Sequence, residues 1–196
     1  MSILSDKQIK KLCTGDNPML SPFVSASTKL NENGVKLLSY GVSSYGYDAT
    51  LASKIYVFTN QNGTIIDPRK FSEDVYVEAK VLKDEDNLEY FILPPNSYAL
   101  GYTNEYFKMP RDVTAICLGK STYARVGIAI NATPIEAGWE GQVVLELANL
   151  CSLPIKVYIN QGIAQFLFFR GEECETSYAD RGGKYQGQTS ITLAKV

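Results

Sequence analysis

After Asn17 and Pro18 the chain is a succession of short strand-like runs broken by Gly, Pro, Asn and Asp. Val75, Val77, Ala79 and Val81 alternate with Tyr76, Glu78 and Lys80, the period of two that a strand imposes on its side chains. Comparable runs lie at 54–58, 90–93, 98–102, 113–118, 127–131, 142–149, 155–159 and 163–169. Strands this short and this closely spaced leave no room for crossover helices. The pattern predicts a β-sandwich or barrel and excludes a βαβ sheet. With 196 residues, 45% of them apolar, the chain can bury one sizeable core. No repeat or linker divides it, so a single domain over 1–196 is expected.

One helix is readable ahead of the strands. Ser5 is placed to cap it, with Gln8 completing a capping box and Leu4 and Ile9 at the staple positions. Ile9, Leu12 and Cys13 form its buried stripe, and Gly15 ends it. At the other end, 177–188 is rich in Gly, Tyr and charge without periodicity. A loop or flexible lid over about 177–196 is expected.

The chain contains no histidine. That removes Ser-His-Asp and Cys-His nucleophiles, imidazole acid–base catalysis and His-ligated metals. Cys13, Cys117, Cys151 and Cys174 form no CxxC pair, which argues against a thiolate zinc site and leaves reduced, mostly buried thiols. A formal charge of −2 provides no basic field for nucleic acid or an anionic membrane. There is no signal-like apolar stretch at the start, and the uncharged, partly apolar run 157–169 is too short and polar to span a bilayer. A soluble cytoplasmic protein is expected, and the acceptor-like triplets at 62–64 and 131–133 are coincidental.

Three segments concentrate chemistry. GKSTYARVG at 119–127 resembles the end of a Walker A loop, but the first glycine that motif needs falls at Thr114, so a P-loop is rejected. What remains is a short helical turn in which hydroxyls and cations converge; a phosphate site and a solvated cap fit it equally well. In QVVLELAN at 142–149, Glu146 shares a face with Val144 and Ala148, while Val143, Leu145 and Leu147 take the other. Both faces are apolar, so the carboxylate is expected to be largely buried, with a raised pKa suited to proton transfer near neutrality. A buried ion pair is the competing reading. The turn-rich 133–141 segment and the glycine-rich tail add a pocket wall and a cationic lid, against an ordinary hairpin and an ordinary terminus.

These pieces, in this order, resemble the deoxycytidine triphosphate deaminase family within the dUTPase-like superfamily. The matching stretches are SYGVSSYGYD at 39–48, VFTN at 57–60, IIDP at 65–68, LPPN at 93–96, 119–127, TPIEAGWEG at 133–141, GIAQ at 162–165 and GGKYQGQ at 182–188. The resemblance implies a mainly β, distorted barrel or jelly-roll subunit of the β-clip type. It further implies a homotrimer with active sites shared between subunits, and deamination of dCTP to dUTP and ammonia without a protein-bound metal. It makes Glu146 the proton shuttle and Lys120, Ser121, Thr122, Tyr123, Ala124 and Arg125 the phosphate-binding segment. Val144, Leu145, Gln165, Tyr178, Lys184 and Gln188 become the remaining nucleotide contacts, and Glu136 lines the sugar site. The 133–139 stretch is shorter than in another branch of the family and carries no basic residue. Mg²⁺ is expected to arrive with the triphosphate, and inhibition by dTTP is left open by the sequence. The rival functions are a dUTP pyrophosphatase, a bifunctional deaminase–pyrophosphatase and a trimeric β-sandwich binding module.

Overall fold

The structure is a computed structural model and describes residues 2–61, 63 and 65–195. Asn62 and Thr64 of the first acceptor-like triplet lie outside the described residues, as do both terminal residues. Helix Asp6–Leu12 begins as expected: Gln8 Oε1 accepts the Ser5 amide at 3.0 Å, and Leu4 and Ile9 are fully buried. A second helix, Ser121–Arg125, is one turn long. Apart from one 3₁₀ turn, the other regular elements among the described residues are strands, all paired antiparallel.

The strands form three open sheets around one core. In the first, Ser2–Ile3, Gly162–Arg170, Gly46–Thr50, Lys36–Ser43 and Thr28–Leu30 follow one another, and Val113–Gly119 also pairs with Gly162–Arg170. In the second the order is Ile128–Asn131, Glu140–Asn149, Tyr98–Lys108, Tyr56–Phe58 and Tyr76–Glu78, with Leu20–Ser21 against Tyr98–Lys108. Ile155–Tyr158, Glu89–Leu93 and Leu82–Lys83 make the third. The large sheets meet through aromatic side chains. Phe107 of the second lies 4.7 Å from Phe166 of the first, centroid to centroid, and both are fully buried. Removing such a ring typically costs about 3–5 kcal/mol.

Two expectations need correction. The alternating run 75–81 is not one strand: Val75 closes a 3₁₀ turn, Glu73–Val75, and only Tyr76–Glu78 pairs. Val75 is buried but Val77 and Val81 are exposed, so the apolar residues do not share an inward face. The hairpin Lys36–Ser43 and Gly46–Thr50 was not anticipated as strands, because its inner strand is polar, yet every one of its residues is buried.

That burial is made possible by Glu105. A register shift between Tyr102 and Tyr106 marks a bulge, and Glu105 within it is only 2% exposed. Its carboxylate accepts the Thr50 amide at 3.0 Å, the Thr50 hydroxyl at 3.1 Å and the Tyr47 hydroxyl at 3.4 Å. Burial raises its pKa from 4.5 to about 7, against the lowering effect of these donors. The folded state therefore holds this proton more tightly than the unfolded chain. Its contribution is complete below the unfolded pKa and declines as pH rises through the folded one. The wild type should lose about 3 kcal/mol relative to Glu105→Gln between pH 5 and pH 8. Urea unfolding of both proteins at the two pH values measures this, and a pH-independent difference would exclude Glu105 as the titrating group.

Candidate active site

Glu146 lies in the middle of Glu140–Asn149, paired on one side with Leu100 and on the other with Asn131. Inner and outer residues of this strand alternate without a break. Val143, Leu145 and Leu147 are buried in the core, while Val144, Glu146 and Ala148 are half-buried on the opposite face. The partition by strand parity is the one expected. Glu146 and Val144 enter a cavity of about 600 Å³. Its floor continues across the sheet to Tyr98, Leu100 and Phe58, its far wall is Phe71, Tyr76, Ile66 and Pro68, and its near wall is the 132–139 segment. Tyr178, Tyr185 and Gln188 of the tail close it.

The electrostatics follow from that lining. Glu146 Oε2 is buried and has no hydrogen-bond partner. Desolvation raises the Glu146 pKa from 4.5 to about 7, partly offset by a backbone hydrogen bond. No lysine or arginine pairs with it among the described residues, so the ion-pair reading does not describe this site. Burial, and then the nearby Glu146 charge, push the Tyr76 phenol up to about 12 and move Tyr98 in the same direction. Both phenols stay neutral. A half-buried carboxyl that titrates near neutrality, against an apolar wall, is suited to taking and returning a proton.

The tail is docked by backbone bonds. The Tyr178 amide donates to the Ala137 carbonyl at 3.0 Å, and the Gly187 amide to Glu140 at 2.8 Å. The Gln142 amide donates to the Gln188 carbonyl at 2.8 Å, and Gln188 Nε2 donates to the Gln142 carbonyl at 2.9 Å. The Trp139 indole N–H donates to the Tyr185 carbonyl at 3.0 Å. Gly141 makes this approach possible, since a Cβ there would sit 2.8 Å from the Gln188 carbonyl oxygen. Arg181 pairs with Glu136 and lies over the Tyr178 ring.

The 120–125 segment lies elsewhere. Lys120 Nζ is engaged by Asp48 at 2.9 Å, with both side chains nearly buried. Tyr123 is in the core, where its hydroxyl accepts the Tyr158 amide. Ser121, Thr122, Ala124 and Arg125 are exposed, and Arg125 reaches back to the Ser121 carbonyl at 2.9 Å. None of the six lines the cavity. Exposed Ile116 and Leu118 occupy the adjoining strand.

The dCTP deaminase-like family matches residues 3–171. This chain belongs to that family. It is 51% identical to a dCTP deaminase from Alcanivorax borkumensis and 50% identical to one from Paraburkholderia xenovorans, each over the whole of both chains. The 2'-deoxycytidine 5'-triphosphate deaminase from Agrobacterium tumefaciens has a similar fold, with a TM-score of 0.56 at 21% identity. That likeness covers 87% of this chain, which spans about half (48%) of the Agrobacterium chain.

Of the site residues expected of a dCTP deaminase-like chain, the cavity gathers Glu146, Val144, Tyr178 and Gln188, together with Glu136. Leu145 faces the core, Gln165 is on the first sheet beside Ser43, and Lys184 lies outside the cavity lining. The aromatic wall of Phe58, Phe71, Tyr76 and Tyr98 was missed. Parity alone does not reveal it, because which strand lies beside Glu140–Asn149 depends on long-range pairing. Among the described residues no three of His, Cys, Asp or Glu converge as metal ligands. No helix among them is long and apolar enough to cross a membrane.

Proposed function

We propose that this chain is a cytoplasmic hydrolytic deaminase that converts dCTP and water to dUTP and ammonia. The observation that carries the reading is Glu146 Oε2, buried and unpartnered in a cavity of a chain that has no histidine. In its ionised form Glu146 takes a proton from a water attacking C4 of cytosine. It then returns that proton to N3, and the proton of the new C4 hydroxyl passes through Glu146 to the exocyclic nitrogen, so that C4=O forms as the C4–N bond breaks and ammonia leaves. The apolar wall keeps bulk water from the base, and Tyr178 covers it.

The cavity provides little cationic lining for a triphosphate. The exposed Ser121–Arg125 turn offers hydroxyls and a guanidinium. In our reading the chain works as a homotrimer, and this turn of one subunit completes the cavity of its neighbour. Exposed apolar Ile116 and Leu118 beside the turn support an interface there. Ser121 then orients the water or the leaving amine, while Arg125, Gln165 and Lys184 contact the nucleotide.

The protein itself supplies no metal chemistry in this mechanism, and Mg²⁺ enters on the nucleotide's phosphates. EDTA should lower turnover only as far as it strips Mg²⁺ from dCTP, with full recovery on adding Mg²⁺ back. Stoichiometric zinc in active protein contradicts this part of the account. Function is tested by measuring ammonia and pyrophosphate released from dCTP. Ammonia equal to dUTP formed, without pyrophosphate, supports the reading. Pyrophosphate as well makes the enzyme bifunctional, and neither product makes it a binding module.

A further inference from the structure

One side chain outside the cavity, Arg111, ties down the root of the tail. Its Nη1 donates to Asp180 Oδ2 at 2.7 Å and to Ser177 Oγ at 3.2 Å. Nη2 donates to the carbonyls of Glu175 and Cys174 at 3.0 and 3.2 Å, and Nε pairs with Glu173 at 3.2 Å. All three guanidinium nitrogens are thus engaged within 173–180. Isolated surface ion pairs contribute little, but a fork that meets several acceptors of one segment also fixes its shape. The segment reinforces itself: the Ser177 amide donates to Asp180 Oδ2 at 2.9 Å, and the Asp180 amide to Ser177 Oγ at 3.3 Å.

The consequence falls on the neighbouring residue. Ser177 is 3% exposed and packs on Gly138, where a Cβ would come within 2.6 Å of the serine Cβ. With Ser177 seated there, Tyr178 bonds to Ala137, lines the cavity and accepts the Tyr185 amide on its hydroxyl at 3.1 Å. A tail fixed at Ser177 closes only a short loop before reaching Gln188. One released from the Arg111 side chain is still held by the Cys174 amide, which donates to the Arg111 carbonyl at 3.0 Å, but is longer from there to Gln188 and loses more entropy on closing.

We propose that Arg111 is a positioning residue that seats Tyr178 and holds the tail over the Glu146 cavity. Its kinetic consequence rests on the deaminase reading; the seating of the tail does not. Arg111→Ala and Arg111→Lys in the full chain test it by three readouts. The single tryptophan, Trp139, donates to Tyr185 and is 6% exposed, so its emission reports tail docking. In Arg111→Ala the emission should shift to the red, and trypsin should cut at Arg181 and Lys184 several-fold faster. The KM for dCTP should rise about 10-fold with kcat within about 2-fold, because fewer molecules are competent to close. Arg111→Lys keeps the charge but loses the fork, and should fall between. Unchanged emission and cutting overturn the proposal, whatever happens to the unfolding midpoint. So does a released tail with an unchanged KM. A wild type that fails to turn over dCTP defeats the deaminase reading, while emission and cutting still decide whether Arg111 seats the tail.

Discussion

Glu146→Gln should abolish deamination, toward the upper end of the ~10²–10⁴-fold range that general acid–base groups contribute. The substitution preserves size and leaves the strand's alternation intact, so fold, assembly and nucleotide binding should survive. What it removes is the proton acceptor. Burial has already placed the Glu146 pKa at about 7, so wild-type kcat/KM should fall as pH drops below that value. Steady-state turnover with dCTP gives the answer. A variant that keeps more than about a tenth of wild-type kcat has another base.

The second large effect is expected from truncation after Thr176. This removes Tyr178, Tyr185 and Gln188 from the cavity wall, and with them Arg181, the partner of Glu136. Water then reaches the base and the nucleotide loses its cover, so kcat/KM should fall by about 100-fold or more. The fold should persist. The cores of both large sheets are built from residues before 171, and the tail adds only Tyr178 at their margin. Circular dichroism and size-exclusion profiles matching the full chain, together with the kinetic loss, are the expected pair of results. Near-normal kcat/KM in the truncated protein would falsify the role given to the tail.

How much of this was legible in the sequence depended on where each residue finds its partners. The Glu140–Asn149 strand was readable because its alternation is local and both faces are apolar, which set Glu146 against a half-buried surface before any fold was known. The first helix was readable because its capping box and staple are local as well. The Gly46–Thr50 strand was not. Its Tyr47, Asp48 and Thr50 look like loop residues, and they are buried only because Glu105 and Lys120 reach them from 55 or more positions away. The same reason hid the aromatic lining around Glu146, since pairing Tyr98–Lys108 between Glu140–Asn149 and Tyr56–Phe58 is what brings Tyr98 and Phe58 onto its sheet. At 75–81 the alternation was real, but Val75 still belongs to a 3₁₀ turn and the strand that follows pairs over three residues only. The six residues of the 120–125 turn were singled out together, yet they divide. Lys120 and Tyr123 face inward to Asp48 and to the core, and the other four face solvent. A five-residue helix has too little periodicity to reveal that division.

The central claim is that water activated by Glu146 attacks the base. Turnover of dCTP in ¹⁸O-labelled water, with the product examined by mass spectrometry, tests this most directly. The account predicts one ¹⁸O in the uracil ring of dUTP and none in its phosphates. Label in a phosphate oxygen with the cytosine left intact would contradict it, since the attacking water would then have been directed at the triphosphate.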